Sequence, residues 1–182
     1  MQNMIDCHVH IRPEWLLGFK DERMGVTFGT YGVILNRENQ RERYYMPEYV
    51  QATKFTAESL IQVMDRHGIE KAVILHSLIH PMNWDVVAAV NRYPDRFAGA
   101  MVVEPTDSAL KNIRKLQSVG LSAMKFEMGT FARAYPDFKF DTPEMYKIWA
   151  LAEELGLTVT IDTHPVGTLG YQVEAFEIII RD

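Results

Sequence analysis

The sequence predicts an α/β fold, a TIM-like (β/α)8 barrel truncated to about its first five strand-helix units. Three observations predict it. Short apolar runs alternate with amphipathic helical segments along most of the 182 residues. That alternation implies parallel strands joined by right-handed crossovers. No glycine-rich phosphate loop follows the first run, so an open nucleotide-binding sheet loses support. The first run ends instead in His8 and His10, where a (β/α) barrel places its chemistry.

Each element has a local reason. Residues 4–11 (MIDCHVHI) form the first strand. Residues 56–67 read as a helix with Thr56 as N-cap and Gly68 just past its end, and Leu60, Ile61, Val63 and Met64 share one side. Residues 71–76 (KAVILH) are a short apolar run bounded by charge, as a buried parallel strand requires. Residues 84–93 read as a helix stopped before Pro94. Residues 98–104 (AGAMVVE) make the third strand, Asp107 caps a helix running to Gly120, and residues 121–127 (LSAMKFE) make the fourth strand. Thr142, with Pro143 at the first helical position, opens a helix ending at Gly156. Residues 157–163 (LTVTIDT) are the fifth strand, and an apolar helix over roughly 171–181 follows.

A full barrel typically needs ~250 residues, so residues 1–182 read as its N-terminal part, with an insertion at about 12–55. The insertion shows no clear periodicity but carries Trp15, Phe19, Phe28 and Tyr31 and further tyrosines among charges. It reads as a surface subdomain packing its own aromatics, placed to lie over the barrel mouth.

The net charge of -5 disfavours nucleic acid or an anionic membrane as main partner, since both need a basic surface. No apolar run approaches the ~20 residues of a membrane helix, and nothing at the N-terminus reads as a signal peptide. Cys7 is the single cysteine, so no intrachain disulfide forms. A cytoplasmic protein with a small-molecule substrate is expected; a homo-oligomer is left open.

The chemistry starts on the first strand. Side chains alternate, so Asp6, His8 and His10 point one way, while Cys7, Val9 and Ile11 point the other, towards the helices. Cys7 is expected there as a small core residue. Two imidazoles two residues apart can share one ion at a Zn–N distance of ~2.0–2.1 Å. His164, in IDTHP after the fifth strand, would meet them on the same barrel face. Lys125 and Glu127 share one face of the fourth strand. If buried, they need each other or a metal; a structural Lys–Glu pair is the simpler reading, a supporting role behind the metal the sharper one. His76 and Glu104 end the second and third strands, on the substrate side. Arg12 and Trp15 follow the first strand and are expected with His76 as substrate-binding residues. Arginine grips carboxylates through two parallel hydrogen bonds, which suits a small, planar or carboxylate-bearing substrate.

IDCHVH at residues 5–10 resembles the opening strand of the amidohydrolase superfamily. More closely, the chain resembles the amidohydrolase-related (amidohydrolase 2) family. The similarity continues in LIQVMDRHGIEKAVIL at 60–75, VNRYPDRFAGAMVVEP at 90–105, LSAMKFE at 121–127 and WALAEELGLTVTIDTH at 149–164. The resemblance implies a distorted (β/α)8 barrel holding a divalent ion, most often Zn2+. His8 and His10 match the strand-one ligands of that family and His164 its strand-five ligand. Lys125 sits near a lysine that some superfamily members carboxylate to bridge two metals, a role that a one-metal subgroup does not require. The resemblance also implies a histidine after strand six and an aspartate after strand eight, the expected general base, both beyond Asp182. The implied activity is hydrolysis of an amide, ester or lactone of a small molecule through a metal-activated water. The same family contains non-oxidative decarboxylases, so a metal-dependent lyase is the alternative, and an inactive truncated fragment the third.

Overall fold

A computed structural model describes residues 4–23, 25–29, 33–36, 41–44, 54–79, 82–135, 137–163 and 172–181. In chain order it contains β1 (Met4–Val9), then four short strands, β2 (Lys20–Asp21), β3 (Val26–Phe28), β4 (Val33–Asn36) and β5 (Arg41–Tyr44). There follow α1 (Ala57–His67), β6 (Ile69–Ile74), α2 (Asn83–Arg92), β7 (Phe97–Met101), α3 (Ala109–Ser118) and β8 (Ala123–Glu127). The last elements are α4 (Met128–Ala134), α5 (Pro143–Glu154), β9 (Thr158–Asp162) and α6 (Val173–Arg181).

Strands β1, β6, β7, β8 and β9 pair in that order, all parallel. They are five units of a TIM-like (β/α) barrel, as the alternation predicts. The capping residues hold as expected. Thr56 Oγ1 accepts from Ser59 N at 3.3 Å, and Gly68 closes α1 at φ 69°, a left-handed conformation that glycine adopts without strain. Thr142 Oγ1 accepts from Met145 N at 3.3 Å, with Pro143 opening α5. At α3 the cap falls on Ser108, one residue later than Asp107, and no side-chain hydrogen bond is made there.

The sheet has two unlike faces. Ala72, Ile74, Met101, Met124 and Phe126 pack beneath the helices with Leu60, Met64, Val86, Ile113 and Ile148. Around Phe126 the rings of Phe131, Phe140 and Trp149 meet at 5.1–5.9 Å between centroids. The opposite face carries a smaller cluster of Leu75, Ala100 and Ala123 with Val73 against it. Strict alternation along β8 therefore puts Ala123, Lys125 and Glu127 on the inner face. No helix among the described residues is long and apolar enough to cross a membrane.

The insertion is more regular than its sequence suggests. β2 to β5 form a four-stranded antiparallel meander. Its base is tied by paired backbone bonds, Arg12 N to Phe55 O at 2.6 Å and Phe55 N to Arg12 O at 2.8 Å. Within it Trp15 meets Phe19 edge to face at 5.5 Å and Phe19 meets Phe28 at 6.3 Å between centroids, so it packs some of its own aromatics. Tyr31, Tyr45 and Tyr49 lie outside the described residues.

Cys7 departs from expectation, being exposed rather than buried. Two causes act together. β1 pairs only with β6 among the described strands, and its register slips between Asp6 and Val9. Such a bulge re-aims side chains and breaks the simple alternation.

Candidate metal centre

The register shift spans Cys7 and His8, the first of the two histidines. The His8 amide donates to Asp6 Oδ1 at 3.0 Å, so the Asp6 carboxylate is spent on the backbone. His8 and His10 then meet edge to face, with ring centroids 4.9 Å apart at 67°. Their Nε2 atoms approach to 3.1 Å.

His10 is the member of the pair with a backbone carbonyl partner. Its Nδ1–H donates to the Leu75 carbonyl at 2.9 Å, which leaves Nε2 as the ring's lone-pair nitrogen. A partner on the far ring nitrogen is how proteins fix a ligating imidazole in tautomer and direction. Burial pulls the His10 pKa from 6.5 down to about 4, and the charges of His8, Arg12 and Lys125 push the same way, against the Leu75 hydrogen bond. The ring is neutral at physiological pH, the form that binds metal. Two Nε2 ligands at Zn–N ~2.0–2.1 Å and tetrahedral or octahedral angles stand ~2.9–3.4 Å apart. The observed 3.1 Å falls inside that interval, so the pair fits a divalent ion.

Among the described residues no group of three or more His, Cys, Asp or Glu side chains is placed to hold a metal. The third sequence-predicted ligand, His164, lies outside the described residues. β9 carries the chain towards it: Lys125 pairs in register with Thr160 and Glu127 with Asp162.

The other expected residues separate into groups. Arg12 is buried, and its charge is felt at His10. Trp15 is engaged elsewhere: its Nε1 donates to Asp85 Oδ1 at 3.1 Å, in the first turn of α2. His76 lies two residues beyond the end of β6, fully buried, with Nε2 donating to Asn83 Oδ1 at 2.9 Å. Asn83 also accepts from Val102 N at 3.0 Å and donates to Val102 O at 2.8 Å. His76 thus pins the end of β6 to α2 and to the segment after β7.

Lys125 and Glu127 form no ion pair with each other. Glu127 turns to the hydroxyl donors of Ser77 and Thr130. These satisfy its carboxylate at the strand end, so the expected Lys–Glu pair does not form. Glu104 accepts from Arg23 Nη1 at 2.5 Å and from the Tyr135 hydroxyl. This clamp joins the insertion, the segment after β7 and the end of α4; Arg23 and Tyr135 carry no local sequence signal that would reveal it. A cleft of about 400 Å³ lies beside it, lined by His76, Ser77, Asn83, Glu104, Asn112 and Lys115 among others. Neither imidazole of the His8–His10 pair lines it.

Solved structures share this fold. A probable 2-pyrone-4,6-dicarboxylic acid hydrolase from Acinetobacter baumannii, with citric acid bound, superposes at a TM-score of 0.62 and 21% identity, covering 90% of this chain and 51% of its own. A 5-carboxyvanillate decarboxylase from Sphingomonas paucimobilis matches at 0.63 and 16%, covering 100% and 62%. A second 5-carboxyvanillate decarboxylase, from Novosphingobium aromaticivorans and with manganese bound, matches at 0.61 and 20%, covering 96% and 55%. The chain thus spans between 51% and 62% of the length of these proteins. No curated protein matches the sequence significantly. The amidohydrolase family model matches residues 5–182, nearly the whole chain, and the chain therefore belongs to the amidohydrolase family.

Proposed function

We propose that this chain carries the metal-binding part of a divalent-metal hydrolase acting on an amide, ester or lactone of a small molecule. The observation that carries the reading is the 3.1 Å approach of the His8 and His10 Nε2 atoms, with His10 held in one tautomer by Leu75. On this reading His8, His10 and His164 hold the ion, most often zinc in such sites. When bound, the ion supplies Lewis acidity that polarises a carbonyl and acidifies water towards a pKa of ~7. Arg12 keeps positive charge on the substrate side of His10. His76 acts as a positioning residue, holding the rim through Asn83. Glu127 fixes the end of β8 through Ser77 and Thr130. Trp15 belongs to the packing of the insertion against α2.

A metal-dependent decarboxylase is the second reading. It is supported by the two 5-carboxyvanillate decarboxylases among the solved relatives, one holding manganese. Elemental analysis of the wild type against the His8→Ala, His10→Ala double variant tests the site. The wild type should retain zinc or manganese through dialysis, and the double variant should lose at least about tenfold in affinity, as ligand loss demands. Equal metal in both would remove the assignment. Loaded protein is then offered esters, lactones and carboxylated phenols: acid release without carbon dioxide supports the hydrolase, and carbon dioxide from the phenols supports the decarboxylase.

A further inference from the structure

The cleft of about 400 Å³ is lined from α2, from α3 and from the segments that follow β6 and β7. Its size falls within the ~300–1,000 Å³ range of small-molecule sites, and neither His8 nor His10 lines it. Buried Val102, Val103 and Leu116 make its floor. On one wall Trp84, in the first turn of α2, is 52% exposed. On the other, Ser108, Asn112 and Lys115 recur at helical spacing along α3 and its cap, and so share a face. The Lys115 ammonium lies 4.9 Å from the centre of the Trp84 ring. The Asn112 amide donates to Ser108 Oγ at 3.3 Å, and Ser108 Oγ lies 3.1 Å from Thr106 Oγ1. One amide hydrogen of Asn112 and one hydroxyl hydrogen of the Thr106–Ser108 pair are left to donate.

The acid and the lysine that line the cleft differ in what they already hold. Glu104 accepts from Arg23 and Tyr135, so its charge is answered. Lys115 enters no ion pair among the described residues, and its charge faces the indole ring. An anion complements such a wall. No arginine lines the cleft, so the planar, two-bond grip that suits a carboxylate is missing. A lysine acting as a point charge, with amide and hydroxyl donors along the same helix face, suits the several oxygens of a phosphate. The exposed indole offers a flat apolar surface to the rest of the ligand. The geometry points to a second binding site, in which Lys115, Asn112 and the Thr106–Ser108 hydroxyls take the phosphate of a small phosphomonoester and Trp84 takes its planar body. This site is separate from the His8–His10 pair and stands without the metal-hydrolase reading.

The probe is 4-fluorophenyl phosphate, titrated into the chelator-treated 182-residue chain and followed by fluorine NMR beside 4-fluorophenol and 4-fluorobenzoate. Removing metal first keeps the phosphate from an ion at His8 and His10. The wild type should bind the phosphate ester at least about tenfold more tightly than either comparison, the size of one charge-assisted contact. Lys115→Met should abolish that preference. Trp84→Ala should weaken the phosphate ester and the phenol alike, by roughly two- to tenfold, as loss of a ring contact does. Lys111→Met, on the same helix but outside the cleft, should change nothing. All three positions are exposed, so each variant should melt with the wild type. A wild type without the preference would overturn the site, and so would a Lys115→Met variant that keeps it. Equal losses in Lys115→Met and Lys111→Met would also overturn it, as the mark of a non-specific charge effect.

Discussion

Tyr135 donates its hydroxyl to Glu104, whose carboxylate also accepts from Arg23. Burial first, then that hydrogen bond and the Glu104 charge, raise the tyrosine pKa from 10.0 to about 12. The sign of the linkage follows. Between pH 10 and 12 the unfolded chain releases this proton and the folded chain keeps it, so the stabilisation is complete below pH 10 and lost as pH rises towards 12. The wild-type melting temperature should therefore fall more steeply from pH 10 to 12 than that of Tyr135→Phe. Identical slopes would show that the hydroxyl is not held as described. The clamp also marks a limit of residue-scale reading. Glu104 was legible because it ends a predicted strand, whereas Arg23 and Tyr135 reach it across 81 and 31 residues of sequence. No periodicity or spacing signals such contacts. The His-x-His pair was legible for the opposite reason: two residues apart on one strand, they share a face by strand geometry alone.

Elements with capping residues are legible and those without are not. Thr56, Gly68, Thr142 and Pro143 mark ends of α1 and α5 that the structure confirms. α4 begins at Met128, directly after Glu127, the last residue of β8, with no side-chain cap, and nothing in the sequence announces it. β2 to β5 span only two to four residues each, too short for alternation to stand out from chance. Asn83 shows how one side chain joins elements. It accepts from His76 and Val102 N and donates to Val102 O, which ties α2 to the ends of two strands. Asn83→Ala should cost about 2–4 kcal/mol, since the partly buried groups it serves lose their partner. Asn83→Asp, which can still accept but cannot donate to Val102 O, should fall between. Urea unfolding reads this as a lower midpoint at unchanged slope. A midpoint within error of wild type for Asn83→Ala would show that water replaces these bonds without loss.

At the scale of the whole molecule, the strand order follows from the alternation of strand and helix. Right-handed crossovers of short length leave little choice but to set each new strand beside the last. The sequence could not show how the sheet's two margins are treated. Among the described strands, β1 and β9 each pair with one neighbour only. A closed barrel has no such margins, and unpaired strand edges are templates for association. Both margins here also carry apolar surface. Met4 and Ile5 are 52% and 55% exposed on β1. Beside β9, Trp149, Val159, Ile161, Phe176 and Ile179 line a groove between α5 and α6, and Ile180 stands 84% exposed next to it. Isolated exposed apolar residues are ordinary, but a groove of them beside an open edge favours contact with another chain. The 182-residue chain on its own should therefore self-associate at micromolar concentration, seen in sedimentation velocity as species larger than a monomer that grow with concentration. Ile5→Lys and Ile180→Glu place a charge at each margin and should together shift the distribution towards monomer, because a desolvated charge at an edge opposes pairing. The substituted positions are exposed, so folding should survive and circular dichroism should be unchanged. A wild-type chain that sediments as a monomer at every concentration would mean that the margins are covered within the chain itself.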